Sequence, residues 1–242
     1  MEAKKIFGQN FLKNKSILEK MAEVAEVGSA DTVLEVGPGL GSLTEVLAAR
    51  AKKVVAVEKD RDLIPILVEK FQGSKNVKII QEDILKFENI PGAKIVANIP
   101  YYITSHFLKN FLSAKNKPRL LVLMVQYEVA KRISAAPPEM NLLALCTQAY
   151  GKVEFIKKIS KGNFSPAPKV DSAIIKISNI SDNFFRKNKI KEEKFFEILH
   201  NAFRQKRKML RHSLGKKISL PEKYLTRRPE ELSLENWKEI LR

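Results

Sequence analysis

Short runs of β-branched residues alternate with longer stretches of helical periodicity through the first two-thirds of the chain. The runs at residues 33–36, 54–57, 77–80, 95–97 and 121–125 predict strands. The stretches at residues 43–51, 63–71 and 104–112 predict helices. Because strands that alternate with helices build parallel βαβ units, the pattern predicts an α/β fold with a mostly parallel sheet. Ligands bind such sheets beyond the carboxyl ends of the strands.

The pattern changes after Tyr150. Residues 152–158 and 173–178 predict two more strands around a proline-bearing loop, and we expect this pair to extend the sheet as an antiparallel edge. From about residue 181 the chain becomes lysine-rich and helical. We therefore predict a first domain over residues 1–180 and a small, basic α-helical domain over residues 181–242.

The charge of the chain restricts its partners. Lys and Arg outnumber Asp and Glu by 44 to 27, which gives a net charge of +17. This balance favours a polyanion, although a solvated basic surface or an anionic membrane is the alternative. No basic amphipathic anchor or apolar tail is evident, so nucleic acid is the favoured partner.

The sequence offers little for metal, disulfide or membrane chemistry. Cys146 is the only cysteine, which excludes an intrachain disulfide, and the three histidines show no ligand spacing, so no metal site is expected. The first eight residues lack the apolar core of a signal peptide. The longest aliphatic run, residues 120–125, is far shorter than a membrane span. We therefore expect a soluble, intracellular protein.

A glycine-rich loop follows the first predicted strand of the sheet. Its sequence at residues 37–41 is Gly-Pro-Gly-Leu-Gly, with the glycines Gly37, Gly39 and Gly41, and a helix is expected from Ser42. Glycine lets the chain turn sharply and lets a ligand approach the backbone. The dinucleotide fingerprint requires glycine where Ser42 stands. The loop thus favours a nucleotide-like ligand other than NAD, and a tight turn without a ligand is the alternative.

Two carboxylates follow the next two strands. Glu58 ends the second strand, 21 residues after Gly37 (58 − 37 = 21), where a carboxylate accepts hydrogen bonds from ribose hydroxyls. Asp83 follows the third strand, and its carboxylate or the adjacent backbone of Ile84 would bind an adenine edge. The pair predicts an adenosine site. It does not separate NAD from S-adenosylmethionine.

The motif Asn98-Ile99-Pro100-Tyr101 follows the fourth strand. The exocyclic amine of adenine is a poor nucleophile because its lone pair is delocalised into the ring. The Asn98 side-chain oxygen and the Ile99 carbonyl would accept its two hydrogens and hold it in line with a methyl sulfonium. Pro100 stiffens the turn, and Tyr101 offers a face on which a flipped base stacks. A strand-terminating turn with a partly buried tyrosine is the alternative.

The C-terminal region carries much of the positive charge. Residues 186–217 contain twelve Lys and Arg against three Glu. Apolar residues at helical spacing, among them Phe195 and Leu199, are expected to bury one helix face against the first domain. The remaining surface would bind RNA phosphates, unless it is only a solvated helix face. The RNA-binding candidates are Arg204, Lys206, Arg207, Lys208 and Arg211.

Taken together, and with the blocks at residues 7–12, 126–132 and 164–172, these motifs resemble the ribosomal RNA adenine dimethyltransferase family. The resemblance runs from about residue 4 to residue 214 and implies a Rossmann-like methyltransferase fold with S-adenosylmethionine as cofactor. It implies dimethylation of two adjacent adenosines near the 3′ end of small-subunit rRNA during ribosome biogenesis. The expected partner is then a pre-30S ribosomal particle, and the expected state is a cytoplasmic monomer.

The resemblance also gives roles to residues to which the sequence pattern alone gives none. Asn10 and Leu12 would contact the methionine end of the cofactor. Phe164 would close on the flipped adenine opposite Tyr101. The chain departs from the family at Tyr102, where asparagine is frequent, and it matches less well after residue 215.

Three other functions remain open at this point. A large-subunit adenine methyltransferase of the macrolide-resistance type shares the fold and cofactor, but the segments at residues 169–172 and 203–208 favour the small subunit. A non-catalytic rRNA-binding assembly factor would not need the intact Asn98 and Tyr101. An NAD-dependent oxidoreductase is disfavoured by Ser42 and by the basic C-terminal region.

Overall fold

A computed structural model of the protein describes residues 10–12, 14–205, 207–215 and 217–242. Its strands, in chain order, are β1 Phe11–Leu12, β2 Thr32–Val36, β3 Lys53–Glu58, β4 Val77–Gln81, β5 Lys94–Asn98, β6 Leu120–Gln126, β7 Lys152–Ile159, β8 Phe164–Ser165 and β9 Ser172–Ser178. Its helices are α1 Lys15–Val24, α2 Ser42–Ala48, α3 Ile64–Phe71, α4 Thr104–Ser113, α5 Tyr127–Ile133, α6 Leu142–Gln148, α7 Asn183–Asn188, α8 Glu192–Phe203, α9 Leu210–Ser213 and α10 Leu234–Leu241. Each strand and helix predicted from the sequence falls on one of these elements.

The main sheet has seven strands in the order β4-β3-β2-β5-β6-β9-β7. The first five are parallel, whereas β9 runs antiparallel to both β6 and β7. The chain order reverses at β2, so β3 and β5 lie on either side of it. The predicted α/β fold, with a mostly parallel sheet and an antiparallel edge, is confirmed. A separate two-stranded ladder pairs β1 with β8, so that Leu12 lies opposite Phe164.

The central strands are continuous apolar runs in the sequence because they are buried on both faces. Residues Leu121–Val125 of β6 are fully buried, because helices or loops cover both faces of a parallel sheet. β4 lies at an edge, and each of its residues is partly buried or exposed. Helix α1 buries Ile17, Leu18 and Met21 in the same core as β2 and β6, and the Asn14 side chain caps its N-terminus by accepting a hydrogen bond from the Ser16 amide.

The chain divides into two compact units. One falls within Met1–Ala130 and Lys152–Ile180, and the other within Lys131–Gly151 and Ser181–Arg242. The division after residue 180 was expected, but the inclusion of residues 131–151 in the helical unit was not. Helix α6 packs on α8 through side chains that a linear reading of the sequence does not connect.

The second unit is built around an aromatic cluster. Phe185 and Phe195 lie with their ring centroids 5.4 Å apart and nearly perpendicular, and Tyr150 lies 5.3 Å from Phe185. Such edge-to-face pairs add to the stabilisation that apolar burial provides. Phe195 and Leu199 of α8 are fully buried, and the elements that this helix contacts within its unit include α6, α9 and the turn Pro229–Glu231. The helix thus has a buried face within its own unit, whereas burial of this face against the first domain stays a prediction.

Among the described residues, none of the helices has the length and apolar character that crossing a membrane requires.

Candidate active site

A cavity opens at the carboxyl ends of β2, β3 and β5, at the point where the strand order reverses. We call it the strand-end cavity; it is bounded by the glycine loop, Glu58, Asp83 and Asn98. Parallel strands place their carboxyl ends at one edge of a sheet, so motifs that are widely spaced in sequence meet here. Of the predicted cofactor and catalytic residues, those that line it are Asn10, Leu12, Gly37, Gly39, Glu58, Asp83, Ile84, Asn98, Pro100 and Tyr101.

Gly39 shows why the loop needs glycine. Its φ of +59° lies in the left-handed region, and a Cβ on it would stand 2.9 Å from the Phe11 ring. Phe11 itself lines the strand-end cavity. Lys70 of α3 also stabilises the loop, because its ammonium group donates a hydrogen bond to the Leu40 carbonyl at 2.8 Å. Any side chain at residue 39 would therefore displace the aromatic wall of the cavity.

Gly41 has a different role from the other two loop glycines. It does not line the strand-end cavity but forms the N-cap of α2, with φ of +78°. A Cβ there would lie 2.7 Å from the Phe71 ring and 3.2 Å from Leu67, both on α3. The missing side chain thus lets α2 begin close to α3.

Glu58 is held by the backbone around it. Its carboxylate accepts hydrogen bonds from the amides of Gly39 at 3.2 Å, Lys59 at 2.9 Å and Asp60 at 2.9 Å. Burial raises the pKa of this carboxyl, while the three N–H donors oppose that rise. The arrangement fixes one acceptor group at the end of β3, with lone pairs left for hydroxyl donors.

Asp83 pairs with Lys59 at the edge of the strand-end cavity. The Lys59 ammonium lies 2.8 Å from one Asp83 oxygen, and the other oxygen accepts from the Leu85 amide at 3.0 Å. The hydrogen bond from Lys59 lowers the pKa of Asp83, so the aspartate is ionised at neutral pH. Next to it, Ile84 is buried and places its backbone at the same wall.

Glu35 belongs to the block that precedes the glycine loop, but the sequence reasoning gave it no role of its own in the site. It is 1% exposed, lines the strand-end cavity from β2, and has a buried Oε2 without a hydrogen-bond partner among the described residues. Burial raises the pKa of Glu35 to about 8, and the neighbouring Glu58 carboxylate adds to the rise. The signal was a carboxylate inside the apolar run Val33-Leu34-Glu35-Val36, directly before the glycine loop.

The charge and the hydrogen-bonding groups of the cavity lining discriminate between S-adenosylmethionine and NAD. The carboxyl groups of Glu35, Glu58 and Asp83 line the strand-end cavity, and the raised pKa of Glu35 leaves Glu58 and Asp83 as the charged acceptors among them. The Gly39 amide, a donor that a phosphate would use, is already bonded to Glu58. A pyrophosphate would meet carboxylates, whereas a ligand with ribose hydroxyls and positive charge meets matching acceptors. The residues therefore fit S-adenosylmethionine, which carries an ammonium and a sulfonium, better than NAD.

The loop after β5 contributes Asn98, Pro100 and Tyr101 to the wall of the strand-end cavity. The Asn98 amide nitrogen donates to the Asn10 carbonyl at 3.2 Å, which orients its side-chain oxygen as the group left to accept. Pro100 and Tyr101 follow at once, and the Tyr101 hydroxyl lies 2.7 Å from the fully buried Ser172 hydroxyl. Burial raises the pKa of Tyr101, so its ring is an uncharged, fixed surface.

Two residues around Tyr101 were not predicted to belong to the site. Ser172 opens β9, 71 residues further along the chain, and no local pattern reveals that it meets Tyr101. Tyr102 is 58% exposed and lines the cavity, although it was noted in the sequence only as a departure from relatives.

Phe164 does not line the strand-end cavity. It is 5% exposed and packs in the core with Leu12, its partner across the β1–β8 ladder. In this structure Phe164 contributes packing, and its role as a clamp on the adenine stays a prediction.

The predicted RNA-binding residues lie in the second unit. The side chains of Arg204, Arg207, Lys208 and Arg211 are exposed between the end of α8 and the start of α9. Lys206 lies outside the described residues. The described members of the set share one short segment, so their charges act together on a polyanion.

The sheet order, the glycine loop and the acceptor at the end of β3 define the class of Rossmann-like methyltransferases. The crystal structure of a dimethyladenosine transferase from Plasmodium falciparum is similar at a TM-score of 0.81, with 27% identity and 96% of each chain covered. The crystal structure of the 23S rRNA methyltransferase ErmE is similar at a TM-score of 0.78, with 28% identity over 96% of this chain and 99% of that one.

Residues 1–233 match the ribosomal RNA adenine dimethylase family, and the protein belongs to that family. A curated relative from Dehalococcoides mccartyi, ribosomal RNA small subunit methyltransferase A, is 41% identical. The match covers 99% of this chain and 88% of that relative. The family resemblance predicted from the motifs is confirmed.

Proposed function

We infer that the protein transfers methyl groups from S-adenosylmethionine to adenine in small-subunit rRNA, as an adenine dimethyltransferase. Membership of the family and the 41% identical small-subunit methyltransferase support this function. The strand-end cavity, which brings the Glu58 and Asp83 carboxylates together with Asn98, is the single structural observation that carries it. We propose that the targets are the 6-amino groups of two adjacent adenosines near the 3′ end of the RNA.

One wall of the cavity is proposed to hold the cofactor. Glu58 would accept both ribose hydroxyls, and Asp83 with the Ile84 backbone would bind the adenine edge. Gly37 and Gly39 leave room for the ligand to approach the loop. Bound S-adenosylmethionine supplies a methyl group on a positively charged sulfur. The methionine end would lie towards Asn10 and Leu12, which line the same cavity.

The loop after β5 is proposed to hold the target adenine. The Asn98 side-chain oxygen and the Ile99 carbonyl accept the two amine hydrogens, which directs the nitrogen lone pair away from the ring and towards the methyl group. The new N–C bond forms as the S–C bond breaks, and the sulfur keeps the bonding electrons. The nitrogen, cationic after transfer, then releases a proton to water, so no strong base is needed. Fixed positioning of this kind lowers barriers by up to about 7–11 kcal/mol.

The base itself needs a surface on which to rest outside its helix. The Tyr101 ring, fixed by the bond to Ser172, is proposed to stack on the adenine, a contact worth about 1–3 kcal/mol. Pro100 holds the turn, with ψ of 131°. Phe164 is proposed as the second face, after a rearrangement that would bring it out of the core.

The exposed cations of the second unit are proposed to bind the RNA backbone. Folded RNA is recognised largely by shape and phosphate contacts, which suits Arg204, Arg207, Lys208 and Arg211. We propose that the substrate is a pre-30S ribosomal particle, that the protein acts as a monomer, and that it works in the cytoplasm where such particles assemble.

Incubation with radiolabelled S-adenosylmethionine and each ribosomal subunit tests the substrate. We expect label in small-subunit rRNA that lacks the modification and none in small-subunit rRNA that already carries it. Label confined to the large subunit would favour a function like that of ErmE. Tight RNA binding without any transfer would favour a non-catalytic assembly factor.

A further inference from the structure

Tyr102 lines the strand-end cavity, and nothing in the proposed reaction uses it. Among the large apolar side chains that are exposed in the described part of the chain, those that line this cavity are Leu40 and Tyr102, and Tyr102 is the aromatic one. An exposed aromatic ring at a cavity offers a flat apolar face that a bound ligand can cover. The position of Tyr102 along the cavity indicates which part of the ligand it meets.

A short 3₁₀ turn after β5 directs the two neighbouring tyrosines differently. The turn comprises Tyr101–Ile103, and because it has three residues per turn, consecutive side chains lie about 120° apart around its axis. Ile103 is buried in the core, and the Thr104 hydroxyl donates to the Tyr101 carbonyl at 3.1 Å. The direction of the Tyr102 side chain is therefore set by a fixed backbone.

Tyr101 and Tyr102 reach to opposite sides of β5 along the sheet. The Tyr101 hydroxyl contacts Ser172 at the start of β9, which lies beyond β6 on one side of β5. Tyr102 lies near the ion pair of Lys59 and Asp83, two residues that follow β3 and β4 on the other side of β5. Asp83 raises the pKa of Lys59 through its hydrogen bond and its charge, and the nearby Tyr102 hydroxyl adds to the rise. Tyr102 thus belongs to the Asp83 end of the cavity.

The Asp83 end is where the proposed binding mode places the adenine of the cofactor. Ile84, which is buried, lines the same end next to Asp83. The Asp83 carboxylate and the Ile84 backbone contact only the edge of the base, so the faces of the base need apolar or aromatic cover. A tyrosine ring supplies that cover, because stacking on a base does not require matched donors and acceptors.

We propose that Tyr102 stacks on the adenine of S-adenosylmethionine and so holds the nucleoside part of the cofactor at the Asp83 end of the strand-end cavity. The two adjacent tyrosines then contact two different adenines, Tyr101 that of the RNA and Tyr102 that of the cofactor. The inference rests on the proposed function and adds to it a residue that binds the cofactor through its ring.

Tyr102→Trp gives a direct readout of stacking. Trp237 is the only tryptophan of the chain and is completely buried, so this variant adds one exposed indole at the cavity. We expect S-adenosylmethionine to quench its fluorescence, because a stacked adenine quenches indole emission. The ligand 5′-methylthioadenosine, which lacks the amino-acid part, should quench it too, whereas methionine alone should not.

Phe155→Trp is the matched control for the fluorescence experiment. Phe155 is an exposed aromatic residue of β7 that does not line the strand-end cavity. The emission of this variant should not respond to any of the three ligands.

Calorimetry on the full chain measures what the ring contributes to affinity. Tyr102→Ala should raise the Kd of S-adenosylmethionine about 5- to 20-fold, the lower part of the range for the loss of a stacked base, because the ring is partly exposed. The Kd of S-adenosylhomocysteine should rise by the same factor, since the two ligands share the adenine. Tyr102→Phe keeps the ring and should bind both ligands nearly as the wild type does.

Three results would overturn the inference. The first is emission of Tyr102→Trp that no adenine ligand changes. The second is a wild-type Kd for Tyr102→Ala; if KM for the RNA rises instead, Tyr102 contacts a nucleotide beside the target. The third is a loss in Tyr102→Phe as large as that in Tyr102→Ala, which would assign the effect to the hydroxyl near Lys59.

Failure of the proposed function gives a different result. In that case the wild type itself binds no S-adenosylmethionine or transfers no methyl group to small-subunit rRNA. If the wild type does both and the Tyr102 variants match it, only the role of Tyr102 is wrong.

Discussion

Replacement of Glu35 by glutamine should change how the stability of the cofactor-free protein depends on pH. The carboxyl is 1% exposed, and burial raises its pKa from 4.5 to about 8. Between those two values the native state keeps a proton that the unfolded chain releases. The free energy of unfolding therefore falls as pH rises from about 4.5 to about 8, and below 4.5 this group contributes no such loss.

The size of the effect follows from the two pKa values. Each pH unit between them corresponds to 1.36 kcal/mol, so the burial of Glu35 destabilises the native state by roughly 3 kcal/mol at pH 7 and roughly 4 kcal/mol at pH 8. Glutamine has nearly the same shape and does not titrate. The buried amide of the glutamine changes the free energy of unfolding by an amount that is the same at every pH. The part of the stability difference that varies with pH therefore reports on the Glu35 carboxyl.

Urea unfolding followed by far-ultraviolet circular dichroism at several pH values between 4.5 and 8.5 measures the difference. We expect the stability of Glu35→Gln relative to the wild type to increase by a few kcal/mol across this range. Glu69→Gln, which removes an exposed carboxylate on α3, is the control and should follow the wild type. Parallel pH profiles for wild type and Glu35→Gln would refute the claim that Glu35 is protonated in the native state.

Three further predictions concern the strand-end cavity. Asn98→Ala should lower kcat at least about 100-fold, because one fixed polar group that stabilises the transition state is removed. Its cofactor affinity should stay within a few-fold of the wild type, and wild-type rates would exclude the acceptor role. Glu58→Gln should raise the cofactor Kd by about 10- to 100-fold in calorimetry, because hydrogen bonds to a charged acceptor are lost, and an unchanged Kd would remove Glu58 from the ribose site. Tyr101→Phe should bind RNA almost as the wild type does, whereas Tyr101→Ala should weaken binding by the equivalent of about 1–3 kcal/mol; equal losses in both would assign the effect to the bond with Ser172 instead of the ring.

Much of the fold was predictable because the signals are local. The β-branched runs and the glycine loop each lie within ten residues. A parallel sheet brings the carboxyl ends of its strands to one edge, independently of how its side chains pack. That is why Glu58, Asp83 and Asn98 could be placed at one site from their positions after three strands.

Other features depend on contacts between distant segments. Gly41 looks like its two neighbours in sequence, but it permits close packing of α2 on α3 and does not line the cavity. The bond between Tyr101 and Ser172 joins β9 to the loop after β5, and no periodicity predicts it. Residues 131–151 group with the helical unit because α6 packs on α8, which the sequence does not indicate. The pKa of Glu35 depends on how deeply its side chain is buried. The position of Glu35 in an apolar strand suggested burial, but the extent of burial is known only from the three-dimensional structure.

A crystal structure of the complex with S-adenosylmethionine tests the central claim most directly. The account predicts the ligand in the strand-end cavity, with its ribose hydroxyls on Glu58, its adenine beside Asp83, and its methyl group directed towards Asn98. A ligand bound elsewhere, or one in this cavity whose methyl group is directed away from Asn98, would contradict it.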